Sequence, residues 1–560
     1  MTFGSFPNTH DLISLVYDSL FWSQASSDPE PWLAESAEPN DDFTEWTVTL
    51  RDDVLWHDGE PFTAADVAFS FEYYDEQRAS SGRYAHHVFD NPAFTESEII
   101  DDTTVVLRFA EPAPQFRIMP GADLPIIPEH IWEGVTDPST ATTDLPVGTG
   151  PFRVVEMVSD ESYRLEANDD HFKGEPTVDV LDLVVIADPA AAFTALDTGD
   201  VDFVARSVPP ELLDQFASGD EIQIIEGTKL ESTQLYFNAR LAPLDAPVLR
   251  KAISMAIDNE ALVETVLLGE ALPGADGFVN PDSPWARPDR SHDFDPEAAA
   301  ADLESAGYVD NDGDGVREGP DGNPLEFNVL VSSFAPLDLR AMQLVSEQVA
   351  EIGVTLIPEP LDPAALRSAR NPPEGGGIPT YEAYVATLET HAHVDPDSLY
   401  YFFHSPGDRG FGGSITGFTN PEFDAIAEEA AVADVDDRLD LFVEMQGIID
   451  EEAPVVVFWY PDANFAFRPE AYSGWVADVG HGVFHKRSFL PEYVEAAAAQ
   501  PDEGTGDGEG TETAAGTDDG SSSSTGVVMA VIVLVALIGA GVLFARRRQV
   551  AAGAGYDDEE

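Results

Sequence analysis

Apolar residues recur at helical spacing in several stretches of the chain. Thr63 and Asp66 read as a capping box, and Val67, Phe71 and Tyr74 behind them fall on one face of a helix. Asp245 and Pro247 open a second helix, whose Leu249, Ile253 and Ala256 face inward before the chain reaches Asp258. Asp295-Pro296 starts a third, stopped by Gly307. Leu339, Met342, Val345, Val349 and Ile352 form the inward face of another, closed by Gly353 and followed by a strand, Val354-Thr355-Leu356-Ile357. Pro454-Val455-Val456-Val457-Phe458-Trp459 is an unbroken apolar run of strand length, the pattern of a strand covered on both faces. Strands alternating with helices predict an α/β protein with mixed sheets flanked by helices. At 560 residues, two or three lobes are expected. No repeat of 20 to 50 residues is visible, which argues against solenoids and propellers.

The C-terminal part changes character. Residues 498–525 are Gly, Ser, Thr and acid, a solvated tether with an end-to-end distance of roughly 30 Å as a coil. Residues 526–545 (GVVMAVIVLVALIGAGVLFA) are uncharged and mostly apolar, and as a helix they would measure about 30 Å, enough for a bilayer core. Arg546, Arg547 and Arg548 come next, within a short tail, 546–560. The expectation is a C-terminal transmembrane helix, with that tail in the cytoplasm, a single pass through the cell membrane and the ectodomain outside. An exported ectodomain needs a signal, and MTFGSFPNTHD offers neither a charged nor an apolar region for one. A late start site or a fragment is expected.

Charge narrows the partners. With 105 acidic and 27 basic residues the net charge is −78, and Lys173, Lys229, Lys251 and Lys486 are the only lysines. The acids are spread along the chain, as in proteins adapted to high salt, where screening shortens to about 3 Å at molar strength. Nucleic acid is excluded on electrostatic grounds. The absence of Cys rules out disulfides and thiolate metal sites.

Several motifs then carry a resemblance. Leu15-Val16-Tyr17-Asp18-Ser19-Leu20, Trp32-Leu33-Ala34-Glu35-Ser36 and residues 57–71 (HDGEPFTAADVAFSF) come first. Gly148-Thr149-Gly150-Pro151-Phe152, Tyr236-Phe237-Asn238, Val248 to Ala252, Asp395-Pro396-Asp397 and Asn420 to Asp424 follow in order. The ordered set resembles the peptide/nickel class of extracellular solute-binding proteins of ABC importers (family 5), in a halophilic archaeal version. The resemblance implies a three-lobed, periplasmic-binding-protein-like fold of type II. Lobe I would comprise 1–32, 145–240 and 455–493, lobe II 33–144, and lobe III 241–454. Ligand would lie between lobes I and III, which close around crossings near residues 240 and 455. Permease and ATPase subunits are the implied partners, with a peptide-like or other small polar solute as cargo. A surface-anchored sensory or structural protein reusing the fold is the alternative.

Two sites stand out. In peptide-binding relatives an Asp just before the Asp-Pro element pairs with the ligand's α-ammonium; here that place is Ala392, between His391 and His393, with Asp395 close by. His391 and His393, with His404 or with His481 and His485, could reach a metal or its chelate, or be ordinary polar residues of the cleft or surface. Trp22, Trp459 and Tyr460 are candidate cleft walls and equally core aromatics. The second site is Asp310, Asp312 and Asp314 with the Val316 carbonyl, Glu318 and Asp321, at the spacing of a calcium loop. A structural Ca²⁺ or a plain acidic turn would account for it; no cofactor is required. No Gly-x-Ser-x-Gly, His-Glu-x-x-His or P-loop is present, so the chain is not expected to be an enzyme.

Overall fold

The fold is that of a computed structural model, which describes residues 9–24, 29–76, 93–136, 145–158, 161–186, 188–219, 221–227, 230–288, 291–370, 379–388, 397–405, 416–433, 435–499 and 530–534. The expected helices form where the polar pattern starts and stops them. Ala64–Glu76 begins with the Thr63 amide on the Asp66 carboxylate at 2.9 Å and the Ala65 amide on the Thr63 hydroxyl at 3.3 Å. Asp295 caps Pro296–Ser305 through the Ala298 amide, and Gly307 beyond it takes φ +90°. Pro336–Ala350 buries Met342, Val345 and Val349 completely. Burying each such side chain is worth about 1.5–3 kcal/mol, which holds these helices to their sheets.

Three large sheets organise the chain. A seven-stranded sheet runs in the order Gln223–Glu226, Asn464–Phe467, Phe203–Val204, Ala530–Leu534, Val180–Val184, Ser162–Ala167, Phe152–Val158. A six-stranded sheet runs Ala271–Pro273, Val455–Pro461, Ser232–Phe237, Ala383–Leu388, Glu326–Ser332, Thr355–Leu361. The third, four-stranded, contains Ala34–Pro39, Glu45–Leu50, Thr104–Phe109 and Phe94–Asp101. The central strands of the six-stranded sheet are covered on both faces. Leu235, Phe237, Val456 and Phe458 enter one core, and Tyr236, Tyr384 and Val455 the other. The chain crosses between the two larger sheets after 223–226 and again after 455–461. The crossings lie beyond the ends of the paired strands 232–237 and 455–461, rather than at 240 and 455, because those strands bond to each other.

The expected membrane helix is not found among the described residues. No helix among the described residues is long and apolar enough to cross a membrane. Of the 526–545 stretch, the described part, Ala530–Leu534, is a strand, parallel to 180–184 on one side and to 203–204 on the other. This corrects the expected anchor and the single-pass localisation built on it. The reason is general: an internal parallel strand needs a continuous apolar run, and Val531, Ile532 and Val533 are β-branched strand formers. The Arg546–Arg548 run and most of the tether lie outside the described residues.

Candidate functional site

Several of the motif residues build the frame of the site. Gly148 and Gly150 let the backbone pack against Leu15 and Val16; a Cβ on Gly148 would stand 1.8 Å from the Val16 carbonyl oxygen. The Gly150 amide donates to that oxygen at 2.9 Å, and Thr149 donates to Asp18 at 2.8 Å. His57 straps the four-stranded unit to this loop, with Nε2 2.9 Å from the Gly150 carbonyl and Nδ1 accepting from the Gly148 amide. Burial pushes its pKa down to about 4, so it is neutral there. Asn238 is buried: its amide group donates to the Pro379 and Tyr381 carbonyls, its oxygen accepts from the Arg240 amide, and it fixes the segment entering the 383–388 strand.

At one end of the six-stranded sheet three strands finish together. Ser232 stands opposite Leu388, and Thr233 opposite both Thr387 and Trp459. The residues after Leu388 lead directly to His391, Ala392, His393 and Asp395, which lie outside the described residues. Polar side chains gather at this end although it is buried. The Gln234 amide donates to the Ser232 hydroxyl at 2.5 Å, while its carbonyl oxygen is buried without a partner. Thr233 and Thr387 share a hydrogen bond of 3.1 Å, and Asn280 donates to the Glu231 carbonyl. Both crossings reach the same end, and it is acidic. Burial, then Glu226, Glu270 and Asp282, push the Asp462 carboxyl up to about 6. Such an arrangement holds polar donors and acceptors beside the two chain crossings.

The proposed cleft walls are placed as packing residues. Trp22 is buried and donates from Nε1 to Asp478 at 3.1 Å. Trp459 belongs to the core of the six-stranded sheet, and the Tyr460 hydroxyl is taken by the Val279 and Ala275 carbonyls. Of the other histidines, His481 and His485 lie together against Trp22, their ring centroids 6.2 Å apart. His404 stacks on Tyr400 at 4.3 Å, with Nε2 3.6 Å from Glu428. His481 lies 4.6 Å from Trp22 and bonds the Ser23 carbonyl, and His485 bonds the Val476 carbonyl. In the acidic loop, ligand oxygens of Asp310, Asp312 and Asp314 come within 4.8 Å of one another. Glu318 accepts from Asn311 and Asp321 from Asn323, so these two are engaged elsewhere, while the Val316 amide donates to Asp314.

Sequence reasoning missed a buried ion pair beneath this frame. Asp18 and Lys486 join segments 468 residues apart along the chain, and Trp32 donates to the same carboxylate at 2.6 Å. The signal available was a lone Lys in a chain nearly without them.

The sequence pattern of the bacterial extracellular solute-binding proteins, family 5 (middle part), matches residues 28–410. The chain is 28% identical to heme-binding protein A of Haemophilus influenzae over 500 residues, covering 84% of this chain and 86% of that one. It is similar in structure to the oligopeptide-binding protein AppA of Bacillus subtilis in complex with a nonapeptide, with a TM-score of 0.71 at 23% identity, covering 86% of this chain and 94% of that one. The substrate-binding protein CtaP of Listeria monocytogenes gives a TM-score of 0.72 at 26% identity, covering 86% and 95%. The chain thus belongs to the family 5 extracellular solute-binding proteins, which bind and do not catalyse.

Proposed function

We propose that this protein is the solute-capturing subunit of an ABC importer, closing its two large units on a peptide-like or other small polar solute and presenting it to permease and ATPase subunits. The observation that carries this reading is the shared end of the 232–237, 383–388 and 455–461 strands, where both crossings between the sheets also lie. Ligand touching both units favours the closed population by its extra contacts there. AppA, a relative in fold, holds a nonapeptide, and heme-binding protein A is named for a different cargo.

Ala392 offers no charge to an α-ammonium, and a desolvated ammonium needs a charged partner. The reading therefore favours solutes without an essential α-ammonium: blocked peptides, oligosaccharides or a chelated metal, the last through His391 and His393. Trp22, Trp459 and Tyr460 would support the site from beneath. The −78 charge belongs with a high-salt habitat. A structural Ca²⁺ on Asp310, Asp312 and Asp314 is supported by their spacing; the Val316 carbonyl would join them, and Glu318 and Asp321 would do so by shifting from their present donors, Asn311 and Asn323.

The test is native mass spectrometry of protein purified in molar salt, followed by small-angle scattering as the identified solute is added back. A defined co-purified mass that compacts the protein supports capture. Absence of compaction with peptides, oligosaccharides and metal chelates alike would end the proposal.

A further inference from the structure

Between the strand Ala271–Pro273 and the helix Pro296–Ser305 the chain makes an excursion, residues 274–288 and 291–295, that touches both crossings between the large sheets. Asn280 donates to the Glu231 carbonyl, in the first crossing, at 3.3 Å. Tyr460, just before Asp462 in the second, donates to the Val279 carbonyl at 3.3 Å. The Gly274 amide bonds the Phe458 carbonyl, and Asn259 donates to the carbonyls of Gly274 and Val457. The excursion is thus pinned at its start to the strand that enters the second crossing, and it forms a collar over the joint. Its backbone is not relaxed. Phe278 takes φ +82°, a left-handed conformation uncommon for an aromatic residue, with its ring buried 5.0 Å from that of Phe403.

One pair of side chains closes the base of this collar. His292 Nδ1 lies 2.9 Å from the Asp276 carboxylate, and Nε2 lies 2.8 Å from the Ile257 carbonyl oxygen. Both partners only accept, and a neutral imidazole carries a single N–H, so the two bonds exist together only when the ring is an imidazolium. Burial pushes the His292 pKa down, but Asp276 and the Ile257 carbonyl outweigh it and hold the ring above its ordinary value. Lys251, on the helix Pro247–Met255, opposes them; it contacts Asp276 at 3.4 Å and Asp450, on the helix Val435–Glu452, at 2.5 Å. Arg287 takes the other Asp450 oxygen at 2.8 Å, and the Asp293 amide donates to Asp276. Asp258 and Asp295 close by are engaged as helix caps, on the Ala261 and Ala298 amides. Three cations therefore meet two carboxylates here, and it is the pair of acceptors flanking the ring that keeps it charged.

A ring that loses its proton keeps one of these bonds, and its other nitrogen then turns a lone pair toward an acceptor. We propose that the collar is a pH-sensitive brake on the joint between the two large units, set by the protonation of His292. With the ring charged, the base is closed and both crossings are held. The folded-state pKa lies above the ordinary histidine value of about 6.5, so the clasp is complete below that value and is lost as pH rises through the folded one. The strain at Phe278 then gains a route to relax. Gln446 bonds the Trp285 carbonyl and the Arg287 amide without titrating, so the far part of the collar stays on its helix and the part over the crossings loosens. The bearing on capture rests on the solute-binding reading: a joint freed in alkali shifts the balance of open and closed populations.

Hydrogen exchange of the full chain in molar salt tests this without any solute. It is read by mass spectrometry from about pH 6 to about pH 9 and corrected for the intrinsic pH dependence of exchange. Protection of residues 274–288 and 459–464 should fall by about tenfold or more, the worth of a charge-assisted hydrogen bond, in one step above the ordinary histidine value. The helix Pro336–Ala350 should keep its protection throughout. His292→Gln should show no step. Asp276→Asn removes the charged acceptor and should move the step to lower pH; it decides the matter if His292→Gln does not fold. No step in the unaltered protein, a step shared with the 336–350 helix, or one that neither substitution moves would overturn the brake. Each of those results leaves solute capture standing.

Discussion

Replacing Lys486 by Met tests its buried ion pair with Asp18, 468 residues away along the chain. Its ammonium group contacts the Asp18 carboxylate and donates to the Tyr17 carbonyl at 3.0 Å, over the rings of Trp22 and Trp32 at 5.4 and 5.2 Å. Both side chains are buried. At an effective dielectric of 20, a pair about 3 Å apart attracts by roughly 5 kcal/mol. Met preserves most of the volume but leaves Asp18 with only Trp32, Thr149 and a distant His171 at 3.9 Å. Stranding a buried charge costs about 3–5 kcal/mol, and that loss is expected in urea unfolding at molar salt. Because the pair is buried, raising the salt further should not shrink it. Burial pushes the Asp18 carboxyl up, but Lys486 and His171 outweigh it and hold the pKa well below the usual range. A depressed carboxylate stabilises above its unfolded pKa of about 3.9, and that share is lost as pH falls. The gap between variant and parent should therefore narrow in acid. The double variant Asp18→Asn/Lys486→Met should lose less than the sum of the single losses. A loss under about 1 kcal/mol for Lys486→Met, or strict additivity, would refute the reasoning.

Three further outcomes are expected. Dialysis from molar to low salt should reduce the helical circular dichroism, because unscreened repulsion at −78 opposes compaction; a melting temperature constant across that range would contradict it. Calcium should raise the melting temperature relative to chelator, and Asp312→Ala with Asp314→Ala should remove the difference; equal stability with and without calcium would leave an acidic turn. Asp462 has its folded pKa raised to about 6, so the folded state holds the extra proton and stability falls as pH rises through that value. Asp462→Asn should flatten this slope and gain about 1 kcal/mol at pH ~8 after allowance for solvent screening; an unchanged slope would assign it to other acids.

Local pattern was enough for much of the fold. Thr63 with Asp66, Asp295-Pro296 and Gly353 mark boundaries because capping and positive φ are satisfied within a few residues. The all-apolar run at 455–459 announced a strand covered on both faces. Position in the chain could not tell that Trp459 and Tyr460 point into packed cores, since that depends on which strands flank them. Likewise Asp18 and Lys486 have no sequence relation that foretells their meeting. The C-terminal stretch shows the limit most plainly. Hydropathy marks residues 526–545 as an apolar run without saying what surroundings such a run takes. For Ala530–Leu534 the open position between the 180–184 and 203–204 strands supplied backbone partners on both sides, and only the assembled sheet contains that position.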